Sequence, residues 1–202
     1  NGESLGLYYM AQTDPDWASL PFTNLDNPRE ADDTMYDRAC GVMSMTMVAS
    51  AYLHQEVDPL PWIDYVVENG YRVSVAGVDE RFFQTVADFY DLPEPEISYQ
   101  TPQEGQSEID WDRVCTVLQE NNGLAIVHMY PGGGFTAIQH YMVLADYQVI
   151  DGVGYFLVED PFQSRSRYDA WGTDAMLDPG LGEEGITWVT PEEIANTCYA
   201  VT

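Results

Sequence analysis

Lysine is absent from this chain of 202 residues, and all seven of its basic side chains are arginine. Against them stand 34 acidic residues, for a formal net charge of −27. A surface of that sign repels nucleic acid and anionic membrane surfaces, and tolerates cationic or neutral peptides best. A lysine-free, acid-rich surface also suits high salt. Long apolar runs are missing too. No stretch approaches the ~20 residues needed to cross a bilayer, so no membrane insertion is expected. The three cysteines, Cys40, Cys115 and Cys198, lack the paired spacing of a zinc site. The only glycine run, Gly132-Gly133-Gly134, opens no helix and so makes no phosphate cradle. Neither metal nor cofactor is expected. An odd cysteine count permits one disulfide, Cys115 to Cys198, with Cys40 left over; three free thiols is the alternative.

What is present argues for a folded domain: 45% of residues are hydrophobic and 13% aromatic, too many for a disordered chain. The length allows one sizeable core. The chain opens Asn1-Gly2-Glu3 rather than with Met, so it is expected to start after a removed leader or at an artificial boundary, and a secreted or cell-surface location is compatible with that start. Residues 5–10 read as a short strand and 13–38, with three prolines, as a long loop. The run from Cys40 to Leu53 is apolar or small on every face and predicts a buried helix. Pro61 opens a second helix that Gly70 stops. Phe82, Phe83, Val86 and Phe89 set a third, within residues 79–90. Asp110 caps a fourth, running to Asn122-Gly123. The pattern then changes. Residues 124–130, 139–147 and 154–159 read as strands, the last two joined by a hairpin turn at Asp151-Gly152. Thr190-Pro191-Glu192-Glu193 marks a late helix with a cap and capping-box Glu. The expectation is a single α+β domain over 1–202, mainly helical through 1–123 and an antiparallel sheet through 124–202.

Cys40 stands at the first turn of the buried helix, where unpaired N–H groups and a partial positive charge favour a thiolate. The position is nucleophilic if a base can reach it. His54 lies fourteen residues along the same helix, on the order of 20 Å away, and is out of range. His128 falls within a continuous apolar strand and reads as a core histidine. His140 begins a strand beside the glycine-rich loop, a place where catalytic groups are displayed. Asp160 ends the strand that pairs with it, so the hairpin brings the two to one end of the sheet. That pairing is the strongest spacing argument in the chain, since an imidazole base needs a group to orient it. Gln12 and Gln139 are candidate oxyanion donors, together with the backbone N–H of Cys40. Ser164-Arg165-Ser166-Arg167 concentrates positive charge close to Asp160. It reads first as salt-bridging and second as a contact for a substrate carboxylate.

These segments resemble the papain-like cysteine peptidases, in particular the bacterial double-glycine (bacteriocin-processing) peptidases and their stand-alone secreted relatives. The matching stretches are Tyr8 to Ala18, Ala39-Cys40-Gly41, Gln139 to Leu144 and Val158-Glu159-Asp160-Pro161, in the family's order of Gln, Cys, His and Asp. Val42 stands where the family has proline. The resemblance implies a papain-like fold with Cys40 as nucleophile, His140 as base, Asp160 as orienting residue and Gln12 in the oxyanion hole. The substrate would be a peptide or protein, cleaved through an acyl-enzyme. Two other readings stay open: an inactive peptidase-like binding module, and an acyl transferase on the same scaffold.

Overall fold

The computed structural model describes residues 5–101, 106–120, 123–131, 134–162, 165–171 and 176–202. Helices and antiparallel sheet are mixed, as the α+β reading expected. A 3₁₀ turn at Pro28–Glu30 is followed by helices α1 (Met35–Arg38), α2 (Cys40–Leu53) and α3 (Leu60–Glu68). Strands β1 (Arg72–Val73) and β2 (Gly77–Val78) form a small hairpin before helix α4 (Arg81–Tyr90). Then come β3 (Ser98–Thr101), β4 (Gln106–Ser107), α5 (Trp111–Gln119), β5 (Ala125–Met129), β6 (His140–Ile150) and β7 (Val153–Glu159). The chain ends with α6 (Arg165–Trp171), β8 (Met176–Leu177), β9 (Ile186–Val189), α7 (Pro191–Thr197) and β10 (Cys198–Val201). The large sheet runs β4-β3-β10-β5-β6-β7-β9-β8.

β6 is the spine of the molecule, and its alternation sorts the core. Tyr141 and Val143 face α2 and join the helical cluster of Met43, Met47, Ile63, Phe82 and Phe83. Met142 and Leu144 face the other way, among Val127, Phe156, Val158 and Ile194. A period of two on a strand buried on both faces produces this division. α2 is buried nearly all round, as its composition predicts. The β6–β7 turn is the predicted hairpin: Asp151 and Gly152 have φ of +52° and +84°, the two positive values of a type I′ turn.

Several expectations are corrected. Residues 5–10 form no strand. Their backbone groups bond side chains instead: Met10 N donates to Met47 Sδ at 3.2 Å, and Tyr8 N to the Glu159 carboxyl. The 13–38 loop ends in helix α1, and buried Arg72 ties it down through Asp33 at 2.8 Å, Glu30 at 3.4 Å and the Phe22 carbonyl at 3.0 Å. α5 stops at Gln119, while Asn122 lies outside the described residues. Thr190 makes no side-chain cap bond; the fixed φ of Pro191 starts α7 without one. Of the two cysteine readings, that of three free thiols holds: Cys115 and Cys198 are unbridged, the latter donating to the Ala200 carbonyl. β3 and β4 lie within 1–123 yet extend the large sheet. No helix among the described residues is long and apolar enough to cross a membrane.

Gly41 sits where the helical cluster meets β6. A methyl there would overlap Val78 Cγ1 and press on Tyr141 Cδ2 at 3.0 Å. Tyr141 adjoins His140, so the close approach also sets the site. Gly41→Ala is expected to destabilise the protein by roughly 1–3 kcal/mol in urea titrations, because overpacking outweighs the better helix propensity of alanine.

Candidate active site

Three structural ends converge. The N-terminus of α2 presents Cys40, the start of β6 presents His140, and the residue after β7 presents Asp160. Pairing of Val143 with Glu159 and Leu144 with Val158 puts the last two at the same end of the hairpin. His140 Nε2 donates to Asp160 Oδ1 at 2.7 Å. The Cys40 thiol is in hydrogen-bonding contact with the same imidazole, which leaves Nδ1 as its partner nitrogen. Cys40, His140 and Asp160 are 5%, 4% and 0% exposed. The first helical bond of α2 is Met43 N to the Ala39 carbonyl at 2.9 Å, so the N–H groups of Cys40, Gly41 and Val42 have no ladder partner.

Asp160 is held from several sides. Its Oδ1 also accepts Phe162 N at 2.9 Å, and its Oδ2 accepts the Tyr168 hydroxyl. Its backbone carbonyl accepts Tyr9 Oη at 2.8 Å, and its N–H reaches the Gly185 carbonyl at 2.9 Å. Burial, then the Asp160 charge, keeps the Tyr168 hydroxyl protonated and a permanent donor. Burial alone would hold His140 neutral. The Asp160 carboxylate first, then the Cys40 sulfur, outweighs burial and pushes the imidazole up to about 10. An imidazolium is therefore stable beside Cys40 at neutral pH.

Gln12 reaches the same corner. Its backbone N–H donates to the Pro161 carbonyl at 2.8 Å, and its Nε2 to the carbonyls of Tyr36 at 2.6 Å and Met35 at 3.3 Å. Both acceptors are carbonyls, so the amide orientation is unambiguous, and Oε1 is left buried without a partner. Gln12 thus joins helix α1, just before Cys40, to the residue after Asp160, but its side-chain N–H groups point at carbonyls. Gln139 is half-buried just ahead of β6.

The remaining candidates fall elsewhere. His54 caps the far end of α2 in the left-handed region, at φ +52°. His128 lies in β5, donates from Nδ1 to Glu80 Oε1 at 3.4 Å and stacks on Tyr141 with centroids 4.2 Å apart. Arg165 salt-bridges Asp178 at 3.3 Å and bonds the Glu183 and Ile186 carbonyls, as the structural reading expected. Arg167 covers the Phe162 ring at 4.8 Å. Gly132 and Gly133 lie outside the described residues. No group of three or more His, Cys, Asp or Glu among the described residues could hold a metal ion.

A pocket of about 710 Å³ backs onto Gly41 through Val78 and Tyr141, and includes Glu80, Tyr99, His128 and Tyr199. The hydrogen bond from His128, followed by that from Tyr99, holds the Glu80 carboxylate below its ordinary range against burial. Sequence reading missed Tyr9, Glu159 and Tyr168. Nothing local marks Tyr168 as a partner of Asp160, although the seven residues between them include a proline and a helix start. No protein-family model matches the chain, and no curated protein matches it either.

Proposed function

We propose that the chain is a cysteine-dependent peptidase of papain-like architecture. The observation that carries this reading is one imidazole contacting both the Cys40 thiol and, at 2.7 Å, the buried Asp160 carboxylate. Cys40 attacks the peptide carbonyl carbon, breaking its π bond, and the oxyanion faces the free N–H groups at the start of α2. His140 passes its Nδ1 proton to the leaving amine as the C–N bond breaks. Water then attacks the thioester, losing a proton to His140, and the Cys40 thiolate departs. Asp160 stays ionised throughout and orients the ring.

Iodoacetamide tests the first requirement. At neutral pH the native protein is expected to gain one carbamidomethyl group, at Cys40. Burial pushes the Cys198 thiol up to about 12 and raises that of Cys115 as well, so both should lag. An unmodified Cys40 would sink the proposal. Hydrolysis of an unfolded protein substrate, lost in Cys40→Ala, tests the second.

Gln12 favours another reading, an inactive binding module on the same scaffold, because its Nε2 is taken up by two carbonyls. An alkylatable Cys40 in a protein that releases no peptide would shift the assignment there. Acyl transfer uses the same intermediate and would appear as product only with an added amine or thiol.

A further inference from the structure

A second cavity, of about 420 Å³, lies away from Cys40. It is lined from α2 by Met45, Val48 and Tyr52, which follow Cys40 by about 7–18 Å along the helix axis. Its sheet wall is the start of β5 and the end of β10. β5 pairs there with Leu144, roughly 13 Å along β6 from His140. The walls are apolar: Met45, Val48, Phe83, Val114, Leu118 and Ile126 all contribute. The volume and lining are those of a small-molecule site.

The same cavity is also lined by four carboxylates, Glu94, Glu96, Glu108 and Asp110, and by one guanidinium, Arg113. Arg113 is occupied by Glu96 at 2.9 Å, and Asp110 accepts the Arg113 backbone N–H at 3.0 Å. Glu94 and Glu108 are exposed, and their carboxylates have no hydrogen bond or ion pair among the described residues. An apolar chamber with two unpaired carboxylates suits a ligand with an apolar body and a positive end. A neutral ligand would leave those charges unused, and an anionic one would be repelled.

We infer that this cavity binds a small hydrophobic cation, of the alkylammonium class, independently of the chemistry at Cys40. The body fills the space between α2, α4 and α5, and the ammonium sits between Glu94 and Glu108. Phe83 lines the cavity and also meets the Tyr141 ring edge-on at 5.5 Å, so the occupant touches the layer behind Gly41.

Calorimetric titration at fixed ionic strength with octylamine hydrochloride, octanol and octanoate tests this. Octylammonium is expected to bind at one saturable site, about tenfold tighter than octanol, with octanoate weaker than both. Glu94→Gln with Glu108→Gln should bring octylammonium down to the octanol affinity. Asp26→Asn with Asp151→Asn removes the same charge elsewhere and should change nothing. Val48→Trp should abolish binding of all three, and Cys40→Ala should bind as the parent does. Octanol or octanoate binding as tightly as octylammonium, equal effects of the two double variants, or no saturable site would each overturn the inference. So would a basic amphipathic peptide that binds where octylammonium does not.

Discussion

Asp160→Asn is expected to leave His140 in place and still disarm it. An asparagine can keep Oδ1 as acceptor for His140 Nε2 and Phe162 N, and turn its amide nitrogen toward Tyr168, whose hydroxyl can accept as well as donate. Tyr168 Oη lies 3.6 Å from Met142 Sδ, so its proton has a second acceptor. Geometry and tautomer survive; the charge does not. The imidazole sits in a buried site, and burial opposes its protonation. Without the carboxylate, the raised value of about 10 collapses toward or below the ordinary 6.5. His140 then rests neutral at pH 7 and no longer offers Cys40 a positive partner. The rate of Cys40 alkylation by iodoacetamide at pH 6–7 should fall by about 100-fold, the low end of what a positioned acid–base group contributes. The alkylation rate of Asp160→Asn should depend on pH through neutrality more steeply than the parent's. Titration of the His140 ring followed by NMR should show the downward shift directly. Tyr168→Phe removes one donor but no charge, so its effect should be several-fold at most. An Asp160→Asn protein alkylated at the parent rate would mean that the carboxylate does not govern the pair.

How far this site was legible depends on the range of the signal. Cys40 at a helix start, the α2 span and the Asp151-Gly152 turn are local features, and each forms as its residues dictate. The meeting of His140 and Asp160 follows from that one turn, because a hairpin fixes which strand ends share an edge. The outer strands carry no such signal. Ser98–Thr101 is a polar stretch whose place in the sheet depends on Gln100, which donates from Nε2 to the Ala195 and Cys198 carbonyls at 2.6 and 2.7 Å. Those partners are nearly a hundred residues away, and no period reports them. The 5–10 segment has the composition of a strand, but an alternation cannot say whether a neighbouring strand is available. Tyr8 and Met10 find Glu159 and Met47 instead. Tyr168 enters the site only because α6 folds back after Asp160, a placement set by tertiary packing.

Glu159→Gln is expected to stabilise the protein above neutral pH, although Glu159 adjoins Asp160. The side chain is 2% exposed, and Oε1 has no hydrogen-bond partner. Burial pushes its carboxyl up to about 7 from 4.5, and the single hydrogen bond from Tyr8 N only partly opposes that. A folded-state value above the unfolded one means that the native form holds the proton longer. Stability from this group is therefore complete below pH 4.5 and is lost as pH rises through about 7. By pH 8 the loss amounts to about 3 kcal/mol, from the gap between the two values. Glutamine is neutral at every pH, retains an oxygen for Tyr8 N and matches the volume. Its melting temperature at pH 8 should exceed the parent's by about 6–12 °C. The two should converge near pH 4.5, and the slope between should vanish in the variant. A parent whose stability does not fall between pH 5 and 8 would show that Glu159 ionises at its ordinary value. The charge matters to the site as well as to the fold. Burial first, then the charges of Asp160, Glu183 and Glu159, raise the value of Tyr9, whose hydroxyl holds the Asp160 carbonyl.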